Sequence, residues 1–423
     1  MNILTDKNVI NLIRKSLNLI DKRLIHHGER VCYILYKMLQ YKGDYSKNEL
    51  FSFVITALFH DIGAYKNEEI DNMIQFETSD VYGHSIYGYL FLKEFSPLKD
   101  VSEIVLYHHL DYSKLSLVDT PYKVIAEYLH LADRIDISLI NAETINVSRF
   151  NKYENEKFSK ESLQIFCEAQ ETYEIIQNIN NNNYLKELDQ FFEQATFTSE
   201  EIDQFLYMLI CSIDFRSEFT VMHTITTVSV ADEIGKRLKL SEKELQSLHY
   251  GALLHDIGKI TTPIRILEAP RKLTDPEMRV MRNHVEMSEY ILKDYIDSEI
   301  LEIAIRHHER LDGSGYPKGL DKTNLTIPQR ILAIADMISA LCGKRSYKDE
   351  FERNKVLDIL IRDTNAGKLC NIVMECVIHY YDEIMNDMYH QTINQLNAYK
   401  GLKEQYKTIH NRFLESKFSL SSE

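Results

Sequence analysis

The sequence predicts an all-α protein: two related helical domains in tandem, joined by a helical connector. Three observations carry this. Glycine (14) and proline (7) are scarce in a chain of 423 residues, so the residues that punctuate turns are few. Apolar residues recur at helical spacing, as in Val31, Ile34, Leu35, Met38 and Leu39, and again in Leu245, Leu248, Ala252 and Leu253. An ordered set of histidines and aspartates in the first half also returns in the second half.

In chain order, residues 1–145 form the first domain. Residues 146–214 are rich in Glu, Gln and Asn, with a polar run from Asn180 to Asn183, and read as a helical connector. Residues 215–386 form the second domain, and residues 387–423 a polar helix ending in a Ser-rich tail. The Asp312-Gly313 pair lies in a Gly-rich loop rather than between alternating strands, so no hairpin is expected there.

Lys plus Arg number 49 against 64 Asp plus Glu, a net charge of 49 − 64 = −15. That excess excludes a general nucleic-acid binder, whose footprint would be a basic face. It leaves open a small anionic ligand held by metal ions or a few local cations. With 44% hydrophobic and 27% charged residues, the balance is that of a folded protein. No run of about 18 apolar residues appears, so no membrane span is expected. Met1 to Asp21 mixes charges into a helical pattern and lacks an apolar signal core. Cys32, Cys167, Cys211, Cys342, Cys370 and Cys376 form no CxxC pair, which suits reduced thiols in a cytoplasmic protein.

The repeat is written mainly in histidines. His27, His60-Asp61, His84, His108-His109 and Asp133 are followed by His223, His255-Asp256, His284, His307-His308 and Asp336, at offsets of 196, 195, 200, 199 and 203. Ala57 to Gly63 (ALFHDIG) mirrors Ala252 to Gly258 (ALLHDIG), and Leu131-Ala132-Asp133 mirrors Ile334-Ala335-Asp336. A lone His on an apolar helix is usually a hydrogen-bonded core residue, and a lone His-Asp pair is common by chance. Five matched elements are another matter, because imidazole with carboxylate suits iron, manganese, zinc or nickel. Neighbouring helical residues point about 100° apart, so His255 and Asp256 can face two adjacent metal positions, with the carboxylate bridging them. Gly63 and Gly258 are expected to cap the helices that carry these pairs.

The ordered H…HD…D pattern resembles the HD-domain metal-dependent phosphohydrolases. The runs His255-Asp256-Ile257-Gly258-Lys259 and His307 to Pro317 (HHERLDGSGYP) resemble the HD-GYP branch, over about Phe215 to Met385, whereas the first half matches the general HD pattern. The resemblance implies hydrolysis of a bacterial cyclic dinucleotide, cyclic di-GMP first and 3′,3′-cyclic GMP-AMP close behind, at a di-iron or di-manganese centre. The implied metal ligands are His223, His255, Asp256, His284, His307, His308 and Asp336. Asp256 and Lys259 are the implied catalytic residues, and Lys259, Arg345 and Lys348 the phosphate contacts. Paired ions would generate a bridging hydroxide to attack phosphorus, with Lys259 offsetting charge in the transition state. Some relatives have an acid four residues before the first His; Phe219 stands there, with Glu218 one residue off, which favours two metals. Tyr316 and Pro317 are expected to shape the loop, with contact to a partner protein as the alternative.

The first half keeps a possible second metal site in His27, His60, Asp61, His84, His108, His109 and Asp133. Ala64 replaces Lys259, Leu110-Asp111-Tyr112 replaces the start of the loop, and Ala142 and Ile145 stand where the second half has Arg345 and Lys348. Lys66 and Arg134 read as ordinary surface residues, with substitution for the missing phosphate-binding cations as the alternative. A regulatory or dimerising module that retains metal is the favoured reading of this half, with a second hydrolase or a silent copy as alternatives. For the whole chain the competing class is a non-catalytic sensor or scaffold acting through protein contacts, as a homodimer or with a signalling partner. A hydrolase of linear nucleotides is disfavoured by the Gly313 to Pro317 run.

Overall fold

The computed structural model describes residues 6–19, 25–64, 82–141, 147–215, 222–269, 271–343 and 353–416. Among the described residues every named element is a helix, and β-pairing is confined to two isolated bridges. The chain divides into two compact units, Thr5–Met208 with Lys400–Glu423, and Leu209–Tyr399 with Met1–Leu4.

In the first unit the helix His27–Lys42 buries Val31, Ile34, Leu35, Met38 and Leu39. It packs against Lys47–Leu58 and Lys123–Asn141. The second unit repeats the arrangement, with His223–Arg237 packed against Glu242–Leu254 and Ile327–Gly343. There Leu248, Ala252 and Leu253 are buried and Leu245 is half-buried. The helix before each His-Asp pair starts in the same way. Ser46 and Glu49 form a capping box, as do Ser241 and Glu244, each satisfying two otherwise orphaned N–H groups. The spacing 241 − 46 = 195 equals that of His60 and His255, so the repeat fixes helix length as well as ligand order.

The stretch anticipated as a connector is part of the first unit up to Met208. Lys160–Tyr173 and Asn183–Phe192 pack on His27–Lys42. Lys37 pairs with Glu187 at 2.7 Å, Arg14 with Asp189 at 2.6 Å, and Phe51 meets Phe191, Phe192 and Phe197. The polar composition is therefore that of outward faces on amphipathic helices. The terminal helix Tyr381–Leu414 likewise uses its later apolar residues within the first unit: Tyr406 stacks on Tyr87 at 4.1 Å and Phe413 lies against Tyr82 and Tyr107.

The expectation that Gly63 and Gly258 cap helices is corrected. The helices end at Leu58 and Leu254, and neither glycine has a left-handed backbone. Their role is close approach: a Cβ on Gly258 would lie 2.0 Å from the His284 carbonyl oxygen, and one on Gly63 2.2 Å from that of His84. Each glycine lets the His-Asp turn press on the helix that carries the next histidine.

Candidate metal centres

In the second unit His255 and Asp256 follow the helix Glu242–Leu254, His284 opens the helix His284–Leu292, and His307-His308 follow Ser298–Ile305. His223 opens its helix and Asp336 lies within Ile327–Gly343. The structure gathers all seven. His223, His255 and Asp256 form one group able to hold an ion, and His284, His307 and His308 another. Asp256 lies between them: its Oδ2 is 3.1 Å from His255 Nε2 and 3.5 Å from His223 Nε2, and its Oδ1 is 3.4 Å from His284 Nε2. Asp336 Oδ1 is 3.0 Å from His223 Nε2, and its Oδ2 is 3.7 Å from His308 Nδ1.

The first unit repeats this geometry. Asp61 Oδ2 faces His60 Nε2 at 3.2 Å and His27 Nε2 at 3.4 Å, while its Oδ1 faces His84 Nε2 at 3.6 Å. His27, His60 and Asp133 form one group, and His84, His108 and His109 another.

Half of these ten imidazoles are aimed by backbone. His60, His108, His255, His284 and His307 each donate Nδ1–H to the carbonyl three residues earlier, at 2.6–2.8 Å, which leaves Nε2 free to act as a ligand. Several buried atoms then have no hydrogen-bond partner: Nε2 of His27, His60, His108 and His255, and both oxygens of Asp61. Orphaned polar atoms at such depth are costly unless something binds them, and a divalent ion suits this donor set.

Protonation agrees. Burial, with neighbouring imidazoles, holds His307, His108 and His109 well below their ordinary range, and burial pushes His308 down to about 3. Against the opposing effect of burial, His255 and Lys259 keep Asp256 ionised, and Arg134 and His27 keep Asp133 so. Neutral imidazole beside ionised carboxylate is the state a metal requires; the facing carboxylates hold His27 and His255, against burial, above their ordinary range, so an ion entering there must displace a proton from each.

Lys259 follows on the short helical turn Ile257–Thr261, and its ammonium donates to Asp256 Oδ2. Arg345 and Lys348 lie outside the described residues, as do Lys66, Ala142, Ile145, Glu218 and Phe219. The reading of Arg134 as a surface residue is corrected: it is 5% exposed and donates to Asp133 Oδ2 at 2.6 Å. Charge pairing with a site carboxylate holds it inside.

The loop after His308 closes on Glu309, which is buried and accepts from the backbone N–H groups of Lys318 and Leu320 at 2.7 and 2.9 Å. Gly313 has φ +77°, a conformation glycine favours. Tyr316 lays its ring against His308 with centroids 4.6 Å apart. Two further residues escaped the sequence reading. Asp136 accepts from His27 Nδ1 at 2.7 Å and pairs with Arg30, whereas among the described residues His223 Nδ1 meets the Ser339 hydroxyl at 3.1 Å. Asp136 and Ser339 each lie three residues past the site aspartate, so a signal was there in the spacing. The other missed residue is Arg282, whose guanidinium lies over Tyr316.

Two helical units, each with paired histidine groups around a central aspartate, define a tandem metal-dependent phosphohydrolase architecture. The HD domain family matches twice, over residues 24–138 and 207–368, and the chain belongs to the HD-domain phosphohydrolases, with the HD-GYP form in its second half. It is 27% identical over 394 residues to the 3′3′-cGAMP-specific phosphodiesterase 1 of Vibrio cholerae, covering 86% of this chain and 89% of that one. A cyclic di-GMP phosphodiesterase of Thermotoga maritima is 33% identical over 235 residues, 52% of this chain and 62% of that one. The crystal structure of a cyclic GMP-AMP-specific phosphodiesterase from V. cholerae shares the fold, with TM-score 0.54 and 17% identity over 90% of this chain and 98% of that one. No helix among the described residues is long and apolar enough to cross a membrane.

Proposed function

We propose that the second unit hydrolyses a cyclic dinucleotide with 3′–5′ linkages to its linear form. The observation that carries this is the gathering of His223, His255, Asp256, His284, His307, His308 and Asp336 around one carboxylate, with Lys259 on its edge. Two divalent ions, iron or manganese, would supply a nucleophile near neutral pH and charge neutralisation at the phosphoryl oxygens. The chain's own residues do the rest. Asp256 offers one oxygen to each histidine group and fixes their spacing, and Lys259 brings a cation to the phosphoryl oxygens where charge builds. Glu309 holds the loop that seats Tyr316 against His308, which keeps that imidazole in place. Arg345 and Lys348 would grip the phosphates.

The end-to-end likeness to a cGAMP-specific relative supports 3′,3′-cyclic GMP-AMP, with cyclic di-GMP as the competitor. Free, scattered cysteines and a nucleotide substrate suit the cytoplasm. The first unit reads as a metal-retaining regulatory module, because Ala64 stands in place of Lys259 while the ligand set is complete.

The test is incubation of the full chain with Mn²⁺ or anaerobic Fe²⁺ and each cyclic dinucleotide, with a linear control. Turnover lost in His255→Ala and Asp256→Ala but kept in His60→Ala is expected. No turnover under any metal would refute the enzyme reading, and turnover lost equally in His60→Ala would refute the assignment of roles to the two units.

A further inference from the structure

We propose that Arg282 is a substrate-binding residue of the second unit and takes the phosphate that is not being cleaved. This rests on the cyclic-dinucleotide reading above. Arg282 ends the helix Asp275–Arg282, two residues before His284, and its side chain is exposed. Its guanidinium sits 4.9 Å over the Tyr316 ring, and that ring lies 4.6 Å from His308. His308 belongs to the group formed with His284 and His307, so the cation is held two ring contacts from an imidazole of the metal centre.

Among the described residues no hydrogen bond or ion pair engages Arg282. Arg237 is paired with Asp387, Arg271 with Glu277 and Arg306 with Glu302, and Arg310 donates to the carbonyls of His307 and Glu309; among the described residues Arg265 and Arg279 share the lack of a carboxylate partner, but only Arg282 lies over a ring that touches the metal centre. In a chain of charge −15, a positioned arginine without a carboxylate is conspicuous. With no protein acceptor on them among the described residues, the guanidinium N–H donors are available in the fork that suits a phosphate. Lys259 is already engaged at Asp256, on the cleavage side. A cyclic dinucleotide carries a second anionic phosphate one nucleotide away from the one that reacts, and that phosphate needs its own cation. Tyr316 thereby acquires a use beyond loop shape, as the platform that aims the arginine.

The experiment compares wild type, Arg282→Ala and Arg282→Lys with a cyclic dinucleotide and with bis(p-nitrophenyl) phosphate, which has one phosphate, measuring metal content alongside. In Arg282→Ala the KM for the cyclic dinucleotide is expected to rise about tenfold relative to that for the small diester, the loss of one charge-assisted hydrogen-bonded contact. The rise falls in KM rather than kcat, and KM depends less steeply on salt than in wild type. Arg282→Lys retains the charge without the fork and falls between. An unchanged ratio of the two KM values, or an unchanged salt dependence, overturns the assignment while leaving the enzyme reading intact. If wild type cleaves the small diester and neither cyclic dinucleotide, the cyclic-dinucleotide reading falls and takes this assignment with it.

Discussion

Replacing Gly258 with alanine tests how the second centre is held together. The added Cβ would lie 2.0 Å from the His284 carbonyl oxygen and 2.6 Å from the Ser288 nitrogen, where ordinary contact begins at 3.4 Å. Relief requires the helix His284–Leu292 to retreat by 3.4 − 2.0 = 1.4 Å. The Gly258 N–H also donates to Ser288 Oγ at 3.0 Å, and that hydroxyl donates to the His255 carbonyl, so the retreat breaks the tie between the two ligand-bearing segments. Metal–ligand distances tolerate about 0.2 Å, so His284 would leave its group. The overpacking itself costs about 1–3 kcal/mol of stability. Metal per chain and turnover are the measurements. Gly258→Ala should lose the second unit's ions and slow turnover by about 100-fold or more. Gly63→Ala demands a retreat of 3.4 − 2.2 = 1.2 Å from the His84 carbonyl, and should cost the first unit its metal while turnover persists. A Gly258→Ala protein with wild-type metal content and rate would refute the reasoning.

Lys259→Met should retain metal and lower kcat about 100-fold, because it removes the cation beside Asp256; steady-state kinetics on metal-loaded protein would show it. Asp136→Asn removes the carboxylate behind His27, and chelator competition should show the first unit's affinity falling about 10- to 100-fold while turnover is unaffected. Burial, with the Asp256 carboxylate nearby, pushes the Asp214 carboxyl up from 3.8 to about 7. A folded-state pKa above the unfolded one means stability that is present below the unfolded value and lost as pH rises through the folded one, here between about 4 and about 7. In chelator-treated protein Asp214→Asn should therefore narrow the Tm difference between about pH 5 and about pH 8, and an unaltered difference would refute this.

What the sequence disclosed follows from what each feature requires. Metal ligands must be particular residue types in a fixed order, so the duplicated histidine pattern was readable, and so was the helical spacing of Val31 to Leu39. Gly63 and Gly258 were seen but misread: glycine before a loop looks the same whether it reverses the chain or lets two backbones touch, and only packing separates the two. Arg134 looked exposed because its partner is simply its own neighbour, Asp133, turned inward. Arg282 gave no signal, since its meaning arises from a tyrosine 34 residues further on. The polar stretch from 146 concealed helices that bury Phe166, Leu188 and Phe192 on one side.

The carbonyls that orient five of the imidazoles bear on how these centres are supplied. Peptide groups, not bound ions, decide where Nε2 points, and the entropy of ordering those rings is lost once, when the chain folds. An arriving ion meets a finished surface, and a departing one leaves the helices with their own hydrogen bonds intact. On this geometry occupancy would follow the ions available around the protein, and one divalent metal would replace another without the chain unfolding.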